Sequence, residues 1–267
     1  MIRPAEIQQK ANKNAVRDTQ IEKDYILSWI LTGIAHNELL SKILVFKGGT
    51  VLKKFYFEDY RYSEDLDFTL LAEKSNEEIK NAFKESFDYV KDEANIPFSI
   101  KEFGEHETGN INFYIAYTGP LGGAGKQVKV DISMDEILQF NIETKCLFST
   151  YSDHIKTSLQ CYSLPEVMTE KMRSLLSRQQ PRDFYDLWYL SEIEGMEMND
   201  YIMEFETKAK HKNLNPANLE KRIEQLLPVF KVRWAGSLSE QVKNLPPFEQ
   251  VSRELGRHFR KLFKLIT

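Results

Sequence analysis

The 267-residue chain carries 36 Lys and Arg against 40 Asp and Glu, a net charge of −4, so no global basic field attracts nucleic acid and any such contact must come from a local patch. Hydrophobic residues make up 42% and aromatic residues 12%, the composition of a folded protein with room for one large or two modest domains. Cys146 and Cys161 form neither a disulfide framework nor a CxxC site, and His36, His106, His154, His211 and His258 show no i, i+4 pair, which argues against a zinc enzyme.

Residues 5–40 read as helices, with Ile26, Ile30 and Ile34 at i, i+4, i+8 and Leu27 and Leu31 beside them. That apolar run is interrupted and too short to cross a bilayer, and the N-terminus lacks the apolar region of a signal peptide, so a cytoplasmic protein is expected, with no membrane partner. An apolar strand (Ile43, Leu44, Val45, Phe46) then leads into Gly48-Gly49-Thr50, an amphipathic segment (Val51, Leu52, Phe55), a loop at 58–62 and a second strand, Ser63-Glu64-Asp65-Leu66-Asp67-Phe68. A helix is predicted over Asn76–Asp92 and strands over 98–103, 111–117 and 127–133. The glycine-rich stretch 119–125 fails as a P-loop: its glycine spacing is six instead of five, Gln127 replaces Ser or Thr, and a strand follows, so it reads as a hairpin loop. From about 160 the helical period dominates with no convincing strand, which divides the chain into 1–155 and 156–267. The fold class expected is α+β, a mixed sheet flanked by helices and followed by a mainly helical region.

The chemistry gathers around the glycine turn. Alternate strand residues share a face, so Asp65 and Asp67 project together while Leu66 and Phe68 enter the core. Adjacent carboxylates repel unless a cation lies between them, and their hard oxygens suit Mg²⁺, with Mn²⁺ as the alternative. Glycines ahead of a helix allow backbone N–H groups to approach a phosphate. Gly48, Gly49, Thr50 and Ser63 are the candidate nucleotide contacts, and Lys47, Lys53 and Lys54 could steer an anion. A phosphate on Ser63 would compete for the metal.

On the strand 127–133, Val128, Val130 and Ile132 alternate with Lys129, Asp131 and Ser133. If it lies beside the D-x-D strand, Asp131 becomes a third carboxylate; otherwise it is a polar residue on an exposed sheet face. Farther on, Lys171 lies on a helix begun by Pro165, while Asp183 and Asp186 share a face of one begun by Pro181. Arg178 and Arg182 either clamp phosphates or pair with these aspartates. Near the C-terminus Arg253, Arg257, Arg260, Lys261 and Lys264 form one helical stripe, able to hold an RNA backbone and equally readable as a solvated face.

The ordered motifs resemble the nucleotidyltransferase superfamily that shares the DNA polymerase β core, and more closely the AbiEii/AbiGii toxins of type IV toxin–antitoxin systems. The resemblance implies that Gly48 and Gly49 bind a nucleoside triphosphate, that Asp65 and Asp67 hold the metal, that Asp131 is its third ligand or the base, and that Lys171 and the Arg182-Asp183-x-x-Asp186 stretch are required. Two departures stand out: a longer separation between Gly49 and Asp65, and Gly49 in place of the serine of many relatives, for which Thr50 is the candidate substitute. The implied activity is transfer of a nucleotide to RNA, at the tRNA 3′ end, arresting translation or limiting phage, under restraint by an antitoxin encoded nearby. The helical region is expected to complete the active site. The competing readings are a nucleotide-binding module without turnover, and a transferase acting on a protein or small molecule.

Overall fold

Residues 1–105, 110–148 and 150–266 are described in a computed structural model of the chain; His106 lies outside them. The backbone divides into two compact units, Met1–Glu136 with Ile142–Tyr162, and Ile137–Asn141 with Ser163–Thr267.

The first unit opens with helices α1 (Pro4–Asn14), α2 (Asp18–His36) and α3 (Leu40–Ile43). The apolar stripe predicted on α2 widens to nearly its whole surface: Ile26, Leu27, Ile30, Leu31 and Ile34 are all buried, and so are Gln20, Glu22, Asp24 and Ser28. Strand β1 (Leu44–Lys47), helix α4 (Gly49–Val51), a π-turn (Leu52–Tyr56) and β2 (Leu66–Leu70) follow. Helix α5 (Asn76–Ala94) starts at a capping box in which the Ser75 hydroxyl and Glu78 carboxylate satisfy each other's backbone N–H groups. It crosses α2 closely at Gly33, where a Cβ would come within 2.8 Å of the Ser86 carbonyl oxygen. Strands β3 (Phe98–Glu105), β4 (Ile111–Tyr117), β5 (Gln127–Ser133), β6 (Glu143–Cys146) and β7 (Ser158–Cys161) complete the unit.

The seven strands form one mixed sheet in the order β3-β4-β5-β2-β1-β7-β6, with β2/β5 and β1/β7 parallel and the other pairs antiparallel. Register puts Phe46, Phe68 and Ile132 in one row across the sheet and Lys47, Asp67 and Asp131 in the next. Because side chains alternate, the first row belongs to an apolar face and the second to the opposite, polar face. The apolar face is aromatic-rich: Phe46 and Phe68 have ring centroids 5.3 Å apart, and Phe83 of α5 meets Phe113 of β4 at 5.0 Å.

One feature differs from expectation. Strands β6 and β7 are not legible in the sequence: each has four residues and β6 buries none of them, too little for alternation to register, and β7 reaches Cys161 inside the stretch read as helical. The segment between the π-turn and β2 is the expected loop; Glu58 and Asp59 are exposed while Tyr60, Arg61, Tyr62 and Ser63 are buried. The 119–125 stretch does join antiparallel β4 and β5. Buried Glu22 clasps it, accepting the Leu121 N–H at 2.8 Å and the Lys126 ammonium at 2.6 Å.

The second unit contains α6 (Leu164–Ser177), α7 (Pro181–Trp188), α8 (Ile202–His211), α9 (Leu219–Leu238) and α10 (Phe248–Leu262), with no strand among its described residues. Pro165 and Pro181 occupy the first turns of α6 and α7, where a missing N–H costs nothing. Phe184 is the hub of the core, with Phe230, Trp234, Phe248 and Phe259 at centroid distances of 5.4, 6.5, 6.2 and 6.2 Å. The segment 137–141 is held here by Glu166, whose carboxylate accepts the N–H groups of Gln139 and Phe140 at 2.8 Å and pairs with the buried Lys208.

Candidate active site

The glycine turn and the D-x-D strand are built against each other. Gly48 has φ +79°, a left-handed value that favours glycine, and a Cβ there would overlap the Asp67 carboxylate, with Cγ 3.1 Å away. Gly49 begins α4, and the Thr50 hydroxyl donates to the Asp65 carbonyl oxygen at 2.8 Å. Thr50 is 1% exposed, so its hydroxyl ties the turn to the acidic strand instead of facing a phosphate as the missing serine would. A Gly48→Ala substitution is therefore expected to cost about 1–3 kcal/mol in stability and to displace Asp67, weakening nucleotide binding; thermal melts and nucleotide titration measure the two effects.

Asp131 lies beside Asp67. Parallel pairing of β2 and β5 puts the two aspartates at the same register position, with Lys47 on the other side of Asp67 and Asn112 on the other side of Asp131. Asp65 precedes β2 by one residue, so the alternation of an extended chain carries it to the same face. Lys129 and Ser133 flank Asp131 along β5. The Lys129 ammonium is 2.6 Å from the Asp131 carboxylate, while Lys47 donates to the Ser133 hydroxyl at 3.0 Å and lies 3.4 Å from Glu136. Burial pulls the Lys129 pKa down, but its hydrogen bond to Asp131 and the fields of Asp131, Asp65 and Asp67 outweigh that, and the net shift is upward.

An ammonium drawn onto a set of hard carboxylate oxygens marks a place where a cation is stabilised, and the donor chemistry of Asp65, Asp67 and Asp131 fits Mg²⁺ or Mn²⁺. Among the described residues no three His, Cys, Asp or Glu side chains are grouped closely enough to form a metal site.

Other candidates fall into different surroundings. Lys54 was expected to steer an anion; instead it is 3% exposed, 2.8 Å from the Asp24 carboxylate and bonded to the Ser28 hydroxyl, so it ties the π-turn to α2. Lys53 stacks over the Tyr62 ring at 4.5 Å. Lys47 is 5% exposed, which suits a fixed contact better than long-range steering. Ser63, at 7% exposed, is closed to a modifying enzyme in this conformation.

In the second unit Lys171 is buried between two carboxylates, 2.8 Å from Asp183 and 2.6 Å from Asp186. Arg178 completes the cluster with a bidentate grip on Asp183, at 2.6 and 2.8 Å. Burial pushes the Asp183 carboxyl pKa up, but the charges of Lys171 and Arg178 win and hold it below the usual carboxylate range. Arg182 is half-buried, with no ion pair among the described residues. Of the C-terminal stripe, Arg257 pairs with Glu192 at 2.8 Å and Lys261 with Glu197 at 3.2 Å, whereas Arg253, Arg260 and Lys264 are exposed, Lys264 past the end of α10. Arg257, Arg260, Lys261 and Lys264 line a cavity of 510 Å³ with Glu220 and Phe263.

The sequence reading placed Lys129 on the polar face of its strand but gave it no role, and it did not single out Glu136. The alternation around Asp131 was the available signal for Lys129; Glu136 follows the strand and had none.

Comparison with known proteins agrees with this fold. The profile of the family described as "Nucleotidyl transferase AbiEii toxin, Type IV TA system" matches residues 29–262. No protein of curated function matches the sequence. Among solved structures, JHP933 from Helicobacter pylori is similar at 16% identity and a TM-score of 0.55, over 94% of each chain. A second H. pylori protein, a candidate nucleotidyltransferase, is similar at 14% identity and a TM-score of 0.62, over 94% of this chain and 97% of its own. The nucleotidyltransferase toxin MenT4 from Mycobacterium tuberculosis H37Rv is similar at 19% identity and a TM-score of 0.57, over 72% of this chain and 65% of its own.

Proposed function

The chain belongs to the AbiEii nucleotidyl transferase toxin family, and on that premise we propose that it is a Mg²⁺-dependent enzyme moving a nucleoside monophosphate from a nucleoside triphosphate to RNA, at the 3′ end of tRNA. Arrest of translation follows from blocking tRNA charging, and a cognate antitoxin restrains the activity. The cytoplasm, where both substrates reside, is the place of action; among the described residues no helix is long and apolar enough to cross a membrane.

The observation that carries this reading is the register of Asp67 against Asp131, with Asp65 on the same face and the Gly48 turn pressed against Asp67. Binding a nucleotide needs no third carboxylate, whereas in-line transfer can use one as a metal ligand or as the base. Asp65, Asp67 and Asp131 would hold the divalent ions, which when bound polarise the α-phosphate and offset the charge that develops on it. The Gly48–Gly49 backbone presents N–H groups to the triphosphate. Asp131, between Asp67 and Asn112 in the row, would be the third ligand or would accept the proton of the attacking hydroxyl. The new bond forms between that hydroxyl oxygen and the α-phosphorus, the bond from the α-phosphorus to the bridging oxygen breaks, and pyrophosphate leaves. In the second unit Lys171, Asp183 and Asp186, at the lysine and aspartate motifs that the family requires, would serve the reaction and, with Arg178, brace α6 against α7.

The test supplies each of four α-phosphate-labelled nucleoside triphosphates to total tRNA, and separately to bulk protein, with wild type and Asp65→Ala/Asp67→Ala. The expected result is label on RNA, removed by ribonuclease and absent with the variant. Label on protein would replace the RNA acceptor with another. No label on either, with Mg²⁺-dependent nucleotide binding intact, would make the chain a binding module.

A further inference from the structure

The polar face of the sheet carries Lys47, Lys129 and, on β3, Lys101; the two beside the aspartates differ in freedom. Lys47 is buried and bonded to Ser133 beside Glu136. Lys129 is 39% exposed, as is 36% of the Asp131 side chain it holds, so its ammonium has solvent to swing into. It lies two residues from Asp131 along β5 and so rises from the same face, within the field of Asp65 and Asp67.

We propose that Lys129 is the resident counter-ion of this carboxylate face: its ammonium holds Asp131 until a divalent ion takes that carboxylate, and the displaced ammonium then pairs with the nucleotide's phosphates. The inference rests on the metal-dependent reading of the same site and adds to it an order of exchange. Asp131 cannot give the same oxygen fully to an ammonium and to a divalent ion, and the two cations repel at that distance. A lysine suits the exchange because its ammonium is a point charge on a flexible stem, able to turn from a carboxylate to a phosphate without a fixed fork geometry. The consequence is a coupling: metal alone must displace Lys129 with nothing to receive it, whereas metal with nucleotide gives the ammonium a new partner. By linkage, each ligand then tightens the other by the same factor.

The experiment measures Mn²⁺ binding by electron paramagnetic resonance, without nucleotide and then with a non-hydrolysable triphosphate analogue. The variants are Lys129→Met, Lys129→Arg and, as a control for net charge, Lys84→Met, at an exposed position of α5, which packs on the opposite, apolar face. Removing a positive charge beside the divalent ion should tighten Mn²⁺ binding about tenfold in Lys129→Met without nucleotide, and shrink the mutual tightening of Mn²⁺ and analogue by a similar factor. Lys129→Arg, which keeps the charge, should bind Mn²⁺ without nucleotide as wild type does but show a smaller mutual tightening, and Lys84→Met should behave as wild type. Unchanged or weaker Mn²⁺ binding in Lys129→Met overturns the inference, as does an equal gain in Lys84→Met. Asp65→Asn/Asp67→Asn separates the two levels. If Mn²⁺ binding depends on those aspartates and ignores Lys129, the counter-ion role alone fails; if it ignores the aspartates, the metal reading fails with it.

Discussion

Asp67→Asn should lower nucleotidyl transfer about a thousandfold or more while leaving the protein as stable as wild type or slightly more so. The rate loss follows from removing one hard anionic ligand, where metal stabilisation of the transferring phosphate amounts to several kcal/mol and each 1.36 kcal/mol is roughly tenfold in rate. The stability follows from register: Asp67 and Asp131 are cross-strand neighbours on one face, and neutralising one of two like charges relieves repulsion. A residue held for structure would show the opposite pattern. Steady-state transfer assays beside thermal melts separate the two, and a large drop in melting midpoint would move Asp67 from chemistry to folding.

Lys171→Met should show that opposite pattern, with a loss of about 3–5 kcal/mol of stability, because it leaves two buried carboxylates without their shared ammonium. Asp183 and Asp186 are 1% and 0% exposed, and Lys171 is within 2.8 Å of both. Urea unfolding followed by the fluorescence of Trp188 and Trp234, both in the helical unit, reads the effect. The pH dependence has a definite sign. Asp183 has a lowered pKa in the folded chain, so its contribution is present above the unfolded carboxylate value near 3.9 and is lost as pH falls through the folded value. Acidification should therefore destabilise wild type and narrow its gap to Lys171→Met, in which protonation relieves the buried carboxylates that have lost their shared ammonium. A gap independent of pH would contradict the ion-pair account.

How far the sequence reveals these features depends on how local their causes are. The strand 127–133 was visible because Val128, Val130 and Ile132 alternate with polar residues, and the same alternation put Lys129, Asp131 and Ser133 on one face. That β5 lies beside β2 was not local information: the pairing joins segments with a helix and two strands between them, and only the sheet order reveals it. Helices α2 and α5 were legible from their apolar spacing, but the all-round burial of α2 depends on what surrounds it.

Strands β6 and β7 are set by pairing with each other and with β1, and four residues carry no period of their own. Charged side chains were the least legible. Lys54 looks like any lysine beside a glycine turn until Asp24, thirty residues earlier, is found against it. Lys171 likewise has a buried ion pair that its amphipathic helix does not announce. A lone hydroxyl such as that of Thr50 reveals its acceptor only in three dimensions.

The central claim is that Asp65, Asp67 and Asp131 converge on divalent metal beneath the Gly48 turn when nucleotide binds. Its most direct test is anomalous diffraction from crystals grown with Mn²⁺ and a non-hydrolysable nucleoside triphosphate. The account predicts manganese peaks against these three carboxylates, with the triphosphate at the Gly48–Gly49 backbone. Nucleotide bound there with no peak on Asp65 and Asp67, or manganese held by other residues, would contradict it.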